Sequence, residues 1–223
     1  MALPDKMSAR YFRKYGFQAP VIIDVGVLNG TPFLYDAFPD SHFILVDPLE
    51  ESGAAIAAKW SHLSYEFHLT AAGASPGQLD LLVEPGRLAR SSASRRAGPP
   101  SATPRPIFVT PLDRITQGRP GPFGLKIDTE GHEIEVLKGA TETLKRCEFV
   151  IAEVSIKKRF AGGYRFSDMI GFMADHGFEA HSFLSGLTRA PRMSDVLFLP
   201  ADDPRFDMAP RPAKAESDLQ SAA

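Results

Sequence analysis

Asp128, Glu130 and His132 stand at alternate positions in LKIDTEGHEIEVLKGA, residues 125–140. Two carboxylates and an imidazole so spaced can hold a hydroxyl and take its proton, with the imidazole poised to act near neutral pH. Asp128 follows the apolar run Leu125-Lys126-Ile127, and Glu153 ends a second one, Phe149-Val150-Ile151-Ala152. A carboxylate at the end of a buried strand needs a partner, which makes both candidates for a shared cleft. Plainer readings stand beside these. Glu130, Glu133 and Glu135 could simply complement a helix dipole, and His132 could be an exposed residue of a first helical turn. Oxygen ligands from Asp128, Glu130 and Glu153 would suit magnesium, but nothing in their spacing requires a metal and none is expected.

A second group lies upstream, in Asp24-Val25-Gly26-Val27-Leu28-Asn29-Gly30. Glycines let the backbone approach a ligand, and a following helix offers free N–H donors. A dinucleotide site calls for G-x-G-x-x-G, whereas this turn has G-x-x-x-G preceded by an acid. Asp47, after His42-Phe43-Ile44-Leu45-Val46, could accept both hydroxyls of a ribose in any adenosine ligand, or could be a turn residue before Pro48.

These side chains act together only if strands carry them to one edge. Apolar runs at 21–23, 42–46, 64–69, 79–83, 123–127, 149–152, 178–183 and 196–199 read as strands. Helix-like stretches lie between them at 29–38, 50–60, 133–145 and 166–176. Such alternation predicts an α/β fold with a doubly wound, mostly parallel sheet, closed by an antiparallel hairpin around SGLTRAPRMSD. Ligands of such sheets bind at the carboxyl ends of strands, where both acidic groups fall.

The 223 residues suit one domain with appendages: a helical extension over 1–19, a domain over 20–200 and a disordered tail over 201–223. Residues 85–106, PGRLARSSASRRAGPPSATPRP, read as a flexible insertion. A sharper reading makes it a lid whose Arg87, Arg90, Arg95 and Arg96 meet an anionic substrate, with Arg95 and Arg96 the substrate contacts. Lys157-Lys158-Arg159 reads as a solvated charge run. Net charge of −2 gives no general attraction to nucleic acid or anionic membrane. Cys147 is the single cysteine, and no run approaches the length of a membrane span or a signal-peptide core. The expectation is a soluble, cytoplasmic protein.

The turn VIIDVGVLNG, the Asp after the second strand and the final hairpin resemble a class I S-adenosylmethionine-dependent methyltransferase. Within that superfamily the chain is similar to the FkbM family, on VTPLDRI (109–115), LKIDTEGHEIEVLKGA and FVIAEVS (149–155). The usual family forms are T-L-D-x-L, L-K-I-D-x-E-G-x-E-x-x-V/L-x-G-A, and a strand ending in E. Two departures stand out. Asn29 sits one position later than the asparagine of the usual G-A-N-x-G, and Pro111 splits Thr110 from Leu112-Asp113, where it should remove one ladder donor.

The resemblance implies a seven-stranded Rossmann-like sheet and S-adenosyl-L-methionine held by Asp24, Gly26, Asn29, Gly30, Asp47 and Ala72. It also implies methylation of a hydroxyl on a sugar or secondary metabolite, a small-molecule acceptor served by Asp128, Glu130, His132 and Glu153. A nicotinamide-dependent oxidoreductase is the rival enzyme, disfavoured by the first-turn glycines. A non-catalytic cofactor-binding partner subunit is the rival outside enzymes. A hydrolase is excluded by the lack of G-x-S-x-G.

Overall fold

The structure is a computed structural model that describes residues 6–84, 86–93, 103–185 and 191–207. Arg95, Arg96 and residues 208–223 lie outside the described part.

In chain order the elements are α1 (Ala9–Lys14), β1 (Val21–Val25), α2 (Pro32–Ala37), β2 (His42–Asp47), α3 (Glu50–Lys59), β3 (Tyr65–Leu69), β4 (Ala71–Ala72) and β5 (Gly77–Val83). After these come β6 (Thr103–Thr110), α4 (Leu112–Ile115), β7 (Phe123–Ile127), α5 (Glu133–Lys138), α6 (Thr141–Leu144), β8 (Cys147–Ser155), α7 (Phe166–Asp175), β9 (Phe178–Phe183) and β10 (Met193–Pro200). Seven strands form one sheet in the order β3-β2-β1-β7-β8-β10-β9. Its strands run parallel except β10, which pairs antiparallel with both β8 and β9. The expected fold class is therefore the observed one.

Both faces of this sheet are covered, which explains the unbroken apolar runs of its strands. Ile23, Val25, Ile44, Val46, Leu125, Ile127, Val150 and Ala152 pack against Val136, Leu137, Met169 and Met173 of the downstream helices. The alternate residues Ile22, Phe43, Leu45, Phe149 and Ile151 meet Tyr11, Phe12, Leu34, Tyr35 and Ile56 of the upstream ones. Chain order reverses between β1 and β7, and the crevice at such a reversal is where open α/β sheets take ligands.

Several expectations change in detail. The apolar piece at 79–83 is not in the large sheet. It belongs to β5, in a separate three-stranded sheet of order β4-β6-β5. The insertion is shorter than 85–106: Leu88–Arg90 form a 3₁₀ turn, Ser92 bridges to Leu82, and residues 103–106 open β6. Pro104 and Pro106 are tolerated in β6 because β4 pairs only with Val109 and Thr110, leaving the rest of that side an open edge. Pro111 costs no ladder bond, since the strand has ended at Thr110 and Pro111 is the residue before α4.

The single helix expected over 133–145 is two. The Gly139 carbonyl accepts from the Asp113 amide (2.9 Å) instead of continuing a helical ladder. The Asp113 carboxylate then caps the second helix, accepting from the amides of Glu142 (3.1 Å) and Thr143 (2.7 Å). The chain also keeps its order past Ala201. Arg205 pairs with Glu148 (2.6 Å) and lies over the Phe17 ring, which fixes the 3₁₀ turn Pro204–Phe206. Among the described residues no helix is long and apolar enough to cross a membrane.

Candidate active site

A cavity of about 240 Å³ opens at the carboxyl ends of β1, β2 and β7, just under the ordinary range for small-molecule sites. Gly26, Asp47, Ala72, Asp128, Glu130, His132 and Glu153 all line it. An apolar wall faces them, built from Leu49, Leu81, Leu88 and Ile107. Leu81 and Ile107 come from the small sheet, so that sheet closes the side that the large one leaves open.

Asp47 ends β2 with both carboxylate oxygens engaged, Oδ2 by the Leu28 amide (3.0 Å) and Oδ1 by the Leu49 amide (2.9 Å). Burial pushes its pKa up, against those two amides. Each oxygen has a second lone pair, so ligand hydroxyls can still donate to it. The turn below is tight: Gly26 has φ +79°, and a Cβ there would stand 1.9 Å from the Asp128 carbonyl oxygen. Glycine alone lets β1 and β7 end this close together.

Asp24, Asn29 and Gly30 do not line the cavity, unlike the remaining expected cofactor residues. Asp24 is fully buried behind the turn, where Tyr35 Oη donates to Oδ2 (2.8 Å) and Lys126 Nζ lies 3.6 Å from Oδ1. Asn29 is exposed, and its carbonyl accepts from the Trp60 indole (2.9 Å). Gly30 packs beneath the same indole.

The turn after β7 brings the titratable groups together. Asp128 is partly open to solvent, and its Oδ2 lies 3.5 Å from Lys126 Nζ. Burial works against charge on Lys126, but Asp24, Asp128 and Asp195 outweigh it, and its pKa rises. Glu130 adopts φ +53°, an uncommon left-handed conformation for a residue with a side chain. Its carboxylate takes Arg159 Nη2, and Arg159 Nη1 donates to Glu153 Oε2 (2.7 Å). Glu153 is buried, and burial followed by Asp128 drives its pKa well up against the pull of Arg159. Glu133 is no dipole complement on the surface: it is 1% exposed, and its Oε1 accepts from the amides of Thr129 (3.1 Å) and Gly131 (2.9 Å).

His132 precedes α5 rather than occupying its first turn. It is half-buried, and its Nε2 faces Gly73 in the segment after β4. Burial, aided by Lys138 and opposed by Glu135, lowers its pKa. It is therefore neutral at pH 7 and able to accept a proton. Glu130 and Glu153 share a guanidinium, and Asp128 faces an ammonium.

Two cations were missed or misread in the sequence. Arg159 is 8% exposed, and this overturns the reading of a solvated charge run, which holds only for Lys157 and Lys158. Lys126 is 6% exposed, and a lone lysine inside an apolar strand beside two acids was the signal for it. S-adenosyl-L-methionine, the donor implied by the resemblance, fits this lining. It is cationic at sulfur and carries a ribose diol and an apolar adenine. The cavity offers carboxylates, an acid at the end of β2 and an aliphatic wall.

Comparison with known proteins agrees with the fold. The family described as "Methyltransferase FkbM domain" matches residues 24–180. A hexuronic acid methyltransferase, AglP of Haloferax volcanii, is 36% identical over 83 residues, 37% of this chain and 34% of that protein. The alignment thus spans about a third of the curated relative's length. The crystal structure of a methyltransferase FkbM from Methylobacillus flagellatus KT superposes with a TM-score of 0.53 at 15% identity. That match covers 88% of this chain and 48% of the other, and it speaks for the fold.

Proposed function

Because the chain belongs to the FkbM methyltransferase family, we propose that it O-methylates a hydroxyl of a sugar or secondary metabolite, with S-adenosyl-L-methionine as donor and His132 as base. Family membership supports a methyltransferase over the oxidoreductase reading. The observation that carries the finer reading is His132 itself, a half-buried imidazole of lowered pKa on the wall of a cavity lined by carboxylates. An alcohol must lose a proton as its oxygen is methylated, whereas a neutral amine needs less help from a base. Similarity to a protein named as a hexuronic acid methyltransferase supports a sugar acceptor.

When bound, S-adenosyl-L-methionine supplies an electrophilic methyl group on sulfur. Asp47 would accept the ribose hydroxyls, and the aliphatic wall would pack against the adenine ring. Asp128 accepts the acceptor hydroxyl and orients it, steadied by Lys126. His132 takes the hydroxyl proton and returns it to solvent through the open mouth. Alignment is the larger contribution, with effective molarities of about 10⁵ M or more. Base assistance adds about 10²- to 10⁴-fold.

The test is a screen of hydroxylated acceptors with S-adenosyl-L-methionine, read by mass for one added methyl and by fragmentation for its position. Methylation at oxygen is the expected result. Methylation confined to nitrogen on amine-bearing acceptors would overturn the assignment to oxygen. Calorimetry should show binding of S-adenosylhomocysteine and none of NAD; tight NAD binding alone would remove the donor assignment.

A further inference from the structure

We propose that Arg159 is a positioning residue, one that fixes the turn carrying His132 by tying Glu130 to Glu153. The inference rests on the reading of His132 as the base. Arg159 comes from the chain after β8, yet its guanidinium joins two other segments. It pairs with Glu130 on the turn after β7 and with Glu153 near the end of β8 (2.7 Å). Its side chain is 6% exposed, so both pairs are shielded from water. The guanidinium also sits 5.2 Å from the centre of the neighbouring Phe160 ring.

That ring is the second part of the device. Phe160 lies against Gly131, where any Cβ would come within 2.4 Å of the ring. Gly131 has φ +101° and follows Glu130 at φ +53°, so two successive residues hold left-handed conformations. Glycine adopts such backbone freely, but Glu130 persists there only when its surroundings over-determine it. Arg159 holds the Glu130 side chain, Ser92 Oγ donates to the Glu130 carbonyl (2.5 Å), and Glu133 holds the amides of Thr129 and Gly131. His132 is the next residue, and its place on the cavity wall is set by this turn. Charge balance supports the arrangement, since Arg159 faces three acids, Glu130, Glu153 and Glu133. Loss of the guanidinium would remove the donor that joins Glu130 to Glu153 and free the turn to move.

The experiment compares Arg159→Gln and Arg159→Lys with wild type in two measurements. The first needs no acceptor: proton NMR titration of the His132 ring, assigned by the resonance that His132→Gln removes. In wild type it should titrate below about 6.5, the ordinary histidine value. Glu135 and Lys138 are the charged groups that act on it and are unchanged in both variants. In Arg159→Gln the midpoint should move up towards the ordinary value, because the ring loses burial. Arg159→Lys, with charge but no fork, should fall between. The second measurement is turnover on the acceptor found by the screen. Arg159→Gln should lower kcat by about 10- to 100-fold, the scale of a small misplacement, with S-adenosylhomocysteine affinity within about twofold of wild type. Arg159→Lys should recover part of the loss. If Arg159→Gln lacks a cooperative melt, Arg159→Lys carries both measurements. A folded variant whose His132 titration matches wild type overturns the proposal. A shifted titration with no methylation of any hydroxyl would instead leave the positioning role standing and count against the O-methylation reading.

Discussion

With His132 as the proposed base, the reaction should carry a pH signature. Burial lowers its pKa, so the neutral form persists to lower pH than in an exposed histidine. A base must be neutral to act, so kcat should hold across neutral pH and fall only as pH drops through a value below about 6.5. A pH–kcat profile with its acid limb above 7 would assign the base elsewhere. His132→Ala should lower kcat by about 10²- to 10⁴-fold and leave S-adenosylhomocysteine affinity intact. Asp47→Ala should do the reverse, weakening that ligand by about 1.5–3 kcal/mol in calorimetry, the scale of hydrogen bonds to a charged group. Unchanged affinity would place the ribose away from β2. The acids and the imidazole were legible because each ends an apolar run or sits within a recognisable block. Arg159 was not, since Lys157-Lys158-Arg159 has the composition of a solvated face. Only the chain's return across Gly131 and Phe160 puts its last member between two carboxylates from different segments.

At the scale of elements, strands were easier to read than helices. Burial on both faces leaves a signature that needs no partner to be recognised, as in Val21–Val25 and Phe123–Ile127. The break between α5 and α6 has a non-local cause, because Asp113 lies far upstream and only folding brings it to Gly139 and Thr143. Asp113→Ala should therefore destabilise the protein by about 1–2 kcal/mol in urea unfolding, the upper part of the range for a lost cap. A change below about 0.3 kcal/mol would show that the second helix needs no cap. Lys126→Met is the harsher change. It leaves Asp24 buried beside Tyr35 without its counter-charge, and removing one partner of a buried pair costs about 3–5 kcal/mol. A Lys126→Met protein as stable as wild type would mean that the buried pair contributes nothing net to the fold.

At the scale of the whole molecule, alternation of strands and helices predicted the large sheet but not the small one. Nothing in the apolar run 79–83 says which strand it will pair with, and its partner, β6, lies beyond an insertion whose composition hides where order resumes. The first junction of the two sheets is a single residue: β3 ends at Leu69, β4 begins at Ala71, and Thr70 alone lies between. Its hydroxyl reaches the Phe108 carbonyl and the Thr110 hydroxyl, both at 3.0 Å. Val46 and Asp47 on one side of the cavity belong to the large sheet, and Ala72, Leu81 and Ile107 on the other belong to the small one. Whatever fills the cavity thus staples two sheets that the chain joins through Thr70 on entry and through residues 111–122 on exit. Free energy of binding then opposes their separation. The small sheet rests on a modest cluster, Leu49, Leu81, Val83 and Ile107, so in the empty protein its amides should exchange with deuterium well before those of β1 and β7. Adding S-adenosylhomocysteine should slow exchange most in β5 and β6, which face the end of β2 across the cavity, and equal slowing in both sheets would contradict this. The small sheet would then report occupancy of the cavity in its own opening rate, as a hatch reports whether its latch is closed.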